Sequence, residues 1–191
     1  NGIPKFPIFE FSVHLNGVLP VKIKSQEPFF YIVKRGSSSG SFDNYLAEIC
    51  NSLNVRFRFN QHYNIFESDI NATGAYRAAA YIRGAQIVTD FPNQVHLLLG
   101  KQFAPRGYAY LIIIDGFGTI ATAFKKSSKS IDPLNPCIQY FKTHGFDFEV
   151  KSKFANRGSF NLPRLWNRAC PIMIGEAGGY QDYLFGFGMR M

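Results

Sequence analysis

Apolar residues along this chain recur mostly in short alternating or continuous runs, the pattern of strands, and only rarely at helical spacing. Residues 6–15 mix apolar and polar positions and predict a first strand, ended by an Asn16-Gly17 turn. Residues 28–34 (PFFYIVK) are aromatic and β-branched and predict a second. A Gly- and Ser-rich loop over residues 36–41 follows. Asp43 then caps a predicted helix to Leu53, with Tyr45, Leu46, Ile49 and Leu53 on one face. Residues 55–59 (VRFRF) alternate strictly and predict a strand with Arg56 and Arg58 on its outer side. Residues 63–66 read as another short strand. Thr73 is placed to cap a helix over residues 74–84, where Ala75, Ala78, Ala79 and Ile82 keep helical spacing and Gly84 is the stop.

The strongest pattern lies further on. Residues 107–115 (GYAYLIIID) predict a long buried strand, turned by Gly116-Phe117-Gly118. Residues 119–124 fit either an antiparallel return strand or a short helix, and residues 95–99 are equally open. Pro133 and Pro136 mark a loop. Residues 146–150 (FDFEV) alternate as a half-buried strand. Residues 157–162 read as a loop, Pro163 opens a short helix to Arg168, and residues 171–174 form a last strand. A glycine- and aromatic-rich tail ends the chain. Strands and helices do not alternate regularly, which argues against a doubly wound parallel sheet. The expectation is an α+β fold: one domain over residues 1–191, with a compact, mainly antiparallel β core and short peripheral helices.

Composition agrees with a folded globule. Of 191 residues, 46% are hydrophobic and 16% aromatic, enough for a substantial core. No apolar run is long enough for a transmembrane helix. The net charge of +8 favours acidic partners, such as nucleic acid, phosphate-bearing ligands, anionic membrane or an acidic protein, although it also serves plain solubility. Asn1 as first residue fits a mature secreted chain or an excised domain. Cys50, Cys137 and Cys170 form no CxxC pair, and His14, His62, His96 and His144 show no metal-ligand spacing. Asn71-Ala72-Thr73 is a glycosylation sequon if the chain passes through a eukaryotic secretory pathway. Cys50 with His62 or His96 is a candidate thiol-imidazole pair, set against a structural helix-face cysteine.

The strand at residues 108–115 and the order of elements around it resemble the cholera- and pertussis-toxin-like ADP-ribosyltransferases, over about residues 28–175. That resemblance implies an ADP-ribosyltransferase-like fold and a secreted toxin or effector with NAD as substrate. It also implies a first-strand arginine, a Ser-Thr-Ser strand and a Glu-x-Glu loop. Here Ile32 stands at the arginine position, Glu67-Ser68-Asp69 at the serine motif, and Lys151-Ser152-Lys153 at the glutamates. Replacing a carboxylate by an ammonium group beside an oxocarbenium ion turns an attraction of about 4 kcal/mol, at about 4 Å and an effective dielectric near about 20, into repulsion. The resemblance therefore implies a catalytically diverged virulence factor that uses no cofactor and binds a host protein or other acidic macromolecule. Two alternatives stay open. One is an active transferase with Glu149 as catalytic carboxylate and Arg35 and Ser68 holding NAD. The other is a basic nucleic-acid-binding or nuclease domain, with Glu149-Val150-Lys151 as an E-x-K motif and Asp115 as a second carboxylate.

Overall fold

The structure, a computed structural model, describes residues 3–15, 18–64, 67–74, 80–125, 132–158 and 171–178. Its backbone divides into two compact units, residues 1–11 with 22–62, and residues 12–21 with 63–191.

In the first unit, β1 (Phe6–Ile8) runs antiparallel to β4 (Phe30–Ile32), pairing Phe6 with Ile32 and Ile8 with Phe30. Phe11 packs edge-on against Phe29, with ring centroids 5.2 Å apart. Helix α1 (Phe42–Ser52) begins at Ser41, whose hydroxyl accepts from Asn44 N at 3.1 Å and donates to Gly36 O. The cap thus falls two residues before Asp43, because the Asp43 carboxylate is already taken by Arg35 and the Gly36 amide. The helix carries its expected apolar stripe but has no buried residue. Residues 55–59 alternate as expected, and the Phe57 and Phe59 rings stack at 5.8 Å. They are nevertheless not a strand, since no described strand pairs with them. Alternation orients side chains, but a strand also needs a partner for its backbone groups.

A seven-stranded sheet has the order β10-β6-β9-β8-β7-β2-β3. Its strands are β2 (Glu10–Leu15), β3 (Val21–Lys24), β6 (Ala80–Val88), β7 (Gln94–Leu99), β8 (Tyr108–Ile114), β9 (Phe117–Phe124) and β10 (Glu149–Gly158). Pairings from β10 through β7 are antiparallel, while β2 joins β7 in parallel. A separate parallel pair joins β5 (Ile70–Asn71) to β11 (Ile172–Met173). The fold is α+β, with a mixed and mostly antiparallel sheet and two short helices.

Helix α2 (Leu134–Thr143) covers one sheet face. Its Leu134, Cys137, Ile138 and Phe141 meet Ala85, Ile87, Leu98, Leu111, Ile113 and Ile120 in the main core. The opposite face, set by alternation, carries Ile82, Leu97, Tyr108, Tyr110, Ile112 and Ala121. This explains the unbroken apolar run of β8: both of its faces are covered or half-buried.

Several expectations change. Residues 80–84, assigned to a helix, belong to β6, where β9 and β10 supply hydrogen bonds on both edges and outweigh helical propensity. Gly84 is not a helix stop. It sits mid-strand beneath the Phe154 ring, where a Cβ would collide with ring carbons. The Pro133 and Pro136 segment is not a loop but the start of α2. Pro136 occupies the first turn, where a missing N–H costs nothing. Residues 119–124 and 95–99 resolve as strands, and β10 runs eight residues past Val150. The predicted helix at residues 163–168, Cys170 and the tail after Gly178 lie outside the described residues. So does part of the short strand at residues 63–66. No helix is long and apolar enough to cross a membrane among the described residues.

Candidate functional site

The residues singled out by sequence do not assemble into one site. Ile32 ends β4, half-buried and opposite Phe6. Arg35 makes two hydrogen bonds of 2.8 Å to Asp43, one from Nε to Oδ2 and one from Nη2 to Oδ1. That guanidinium and the Gly36 amide hold the Asp43 carboxyl down at about 2, and Asp43 in turn raises Arg35. Arg35 therefore serves an internal carboxylate. Glu67, Ser68, Glu149, Lys151 and Lys153 all belong to the other unit. Glu67 is exposed and accepts from Asn64 Nδ2 at 3.4 Å. Ser68 is half-buried just before β5. Glu149 is exposed and ion-paired with Lys151 at 2.5 Å, and Lys153 reaches Asn135 Oδ1 at 3.5 Å. Asp115 closes the β8–β9 turn, its amide donating to Asn93 Oδ1 at 2.7 Å. No three His, Cys, Asp or Glu side chains gather as a metal-holding group among the described residues.

The thiol candidates are also placed. Cys137 is buried and donates to the Pro133 and Phe103 carbonyls, and burial with nearby Asp132 pushes its thiol up to about 12. Cys50 lies on α1, while His96 belongs to the other unit and bonds to His14 and Gln94. The sequon is closed off, since Asn71 is only 3% exposed and its Oδ1 accepts from Thr73 N and Oγ1 at 2.9 and 2.8 Å.

What sequence reasoning missed lies around that same Asn71. Strands β5 and β11 run parallel, with Ile172 N donating to Asp69 O at 2.8 Å and Ile174 N to Asn71 O at 3.0 Å. Each strand is followed within three residues by a glycine with positive φ, Gly74 at 84° and Gly175 at 56°. Gly175 opens a single 3-10 turn to Gly178, and a Cβ on Gly74 would lie 4.0 Å from Glu176 Oε2, so the two turns are neighbours. On β5, Asn71 Nδ2 is buried and has no hydrogen-bond partner among the described residues. A buried amide donor left unpaired costs about 1–3 kcal/mol. Carboxyl ends of parallel strands that turn on glycine are where backbone can approach a phosphate-bearing ligand closely. The available signal was Thr73-Gly74 ahead of an alanine-rich run, which reads as a helix cap until the strand pairing is known.

By sequence, no family model and no curated protein matches the chain. Its fold is similar to that of a geranylgeranyl bacteriochlorophyll reductase-like protein from Thermoplasma acidophilum, with a TM-score of 0.71 and 14% identity over 94% of this chain and 57% of that one. It is also similar to FqzB, with a TM-score of 0.62 and 10% identity over 90% of this chain and 54% of that one. The chain thus spans little more than half the length of either. These likenesses overturn the ADP-ribosyltransferase resemblance, and with it the toxin, effector and virulence reading. The order of short strands around a Gly-Tyr strand entrance was shared, but order along the chain does not determine which strands pair, and pairing defines the fold.

Proposed function

We propose that this chain is the sheet-bearing portion of a flavin-dependent reductase or oxidase that acts on an apolar substrate. The observation that carries the reading is the likeness, over 94% of the chain, to a protein described as reductase-like. The chain's own chemistry supports it. The sheet face away from α2 carries the half-buried Leu97, Tyr110, Ile112 and Ile82, apolar positions with few polar groups to desolvate. Burial pushes the Tyr110 phenol up, so it stays a neutral hydroxyl donor on that surface. In this reading a dinucleotide would lie at the carboxyl ends of β5 and β11. There the Asn71 amide, Gly74 and the turn from Gly175 would hold it, and the bound flavin would supply hydride. The test is flavin absorbance and fluorescence of the purified protein, with titration of added flavin adenine dinucleotide. Binding weakened about tenfold or more by Asn71→Leu is expected from loss of one buried hydrogen bond. Failure of the protein to bind flavin overturns the reading.

A further inference from the structure

His14 on β2 and His96 on β7 lie on the α2 face of the sheet, 3% and 7% exposed. Their rings meet through His14 Nε2 and His96 Nδ1 at 2.8 Å. His14 Nδ1 lies 3.0 Å from the Tyr140 hydroxyl on α2, and His96 Nε2 lies 2.8 Å from Gln94 Oε1. One carbonyl sets the direction of every bond. Gln94 Nε2 donates at 3.0 Å to Pro92 O, an oxygen that can only accept. Gln94 Oε1 therefore faces His96, which must donate from Nε2. A neutral imidazole donates from one nitrogen alone. Hence His96 Nδ1 accepts from His14 Nε2, and His14 Nδ1 accepts from Tyr140 Oη. A single polarity runs from Tyr140 through His14, His96 and Gln94 to Pro92.

The surroundings add little charge. Phe141 and Phe146 set ring edges against the pair, with His96 and Phe146 centroids 4.9 Å apart. From the sheet, the same-face neighbours are Ser12, Leu98 and Leu111. From α2 come Tyr140, the neutral Cys137 thiol and, at the helix end, the exposed His144, stacked on Tyr140 at 4.0 Å with Nδ1 donating to Tyr140 O. None of these described neighbours is a carboxylate, and Glu10, further along the same face of β2, is ion-paired with Lys22 and Lys24.

One added proton is accommodated. His14 then donates from both nitrogens, and the Tyr140 hydroxyl rotates to accept. A second proton would set His14 Nε2–H against His96 Nδ1–H across 2.8 Å, two like charges with no acceptor between them. We propose that His14 and His96 form a single-proton site that latches α2 to the sheet, and that uptake of the second proton releases the Tyr140 end of the helix. Burial first, and then the nearby His144, lower the affinity of His14 for a proton from the ordinary 6.5. A lowered folded value means the stabilisation is fully present above 6.5 and is lost as pH falls from there through the folded value.

The test is an NMR titration of the four imidazoles in the intact protein, with α2 amide signals recorded in parallel. The expected result is joint uptake of one proton by His14 and His96, with a midpoint below the ordinary 6.5. The second proton should enter only as the α2 signals collapse. Gln94→Glu places a carboxylate on His96 Nε2 and should raise the joint midpoint by about one unit or more, which loss of packing alone would not do. His96→Gln should remove most of the acid sensitivity of the α2 signals. Two independent midpoints with α2 intact, or a midpoint unmoved in Gln94→Glu, would overturn the proposal.

Discussion

Two glycines differ in what a methyl group would meet. At Gly107 a Cβ would strike the backbone carbonyl of Ala123, at the place where the chain enters β8. Backbone held in a ladder cannot step aside, so Gly107→Ala is expected to cost about 1–3 kcal/mol. At Gly84 the obstacle is the Phe154 ring on edge strand β10, a partly exposed side chain that can rotate away. Urea midpoints of the two variants should therefore rank Gly107→Ala as the less stable, and the reverse order would refute this contrast. Charge at residue scale centres on Asp43, whose folded value of about 2 lies below its ordinary 3.8. A depressed carboxyl stabilises above its ordinary value and loses that contribution as pH falls through the folded one. The helical signal at low ionic strength should decline as pH falls from 3.8 toward about 2, and Asp43→Asn should flatten that decline.

Helix α1 depends on its cap more than on its packing, since none of its residues is buried. Ser41→Ala removes the acceptor for Asn44 N and should cost about 1 kcal/mol, read as lost helicity. Helix α2 is the opposite case. Phe141 is fully buried, and Phe141→Ala should cost about 3–5 kcal/mol in global stability. The same contrast explains which elements were legible in the sequence. Helix α1 shows a clean stripe and a polar start, and β8 announces itself by a long apolar run. Helix α2 was hidden by Pro133 and Pro136, which suggest a break until one notices that both fall at the helix start. Strand β6 was hidden by alanines at helical spacing. Its strand character comes from β9 and β10, neighbours that local sequence does not reveal. For the same reason the E-x-K pattern and the lysines at residues 151 and 153 suggested sites that the structure resolves as an exposed edge strand. The buried Asn71 and the His14–His96 pair became visible only through pairing across distant segments.

The main sheet combines an antiparallel β7-β8-β9 meander, extended by β6 and β10, with one parallel pairing, that of β2 with β7. If the meander offers an apolar face to a substrate, widening that surface should not disturb binding at the ends of β5 and β11. Leu97→Ala is thus expected to leave flavin affinity within about twofold while weakening use of an apolar substrate through lost burial, seen as a higher KM. The parallel pairing of β2 with β7 has a further consequence, for the order of folding. Strands β7 to β9 pair in sequence order and can zip through short connections, after which β6 adds to β9. His14 must find His96 across 82 residues and Tyr140 across 126, so β2 makes its contacts with β7 and α2 only after large loops have closed. In refolding experiments the meander should form early, and the burial of His14 should mark the last, slowest phase. On a ribosome β7 is made after β2, with 82 residues between His14 and His96, so the edge of β2 that joins β7 must wait while that stretch is synthesised.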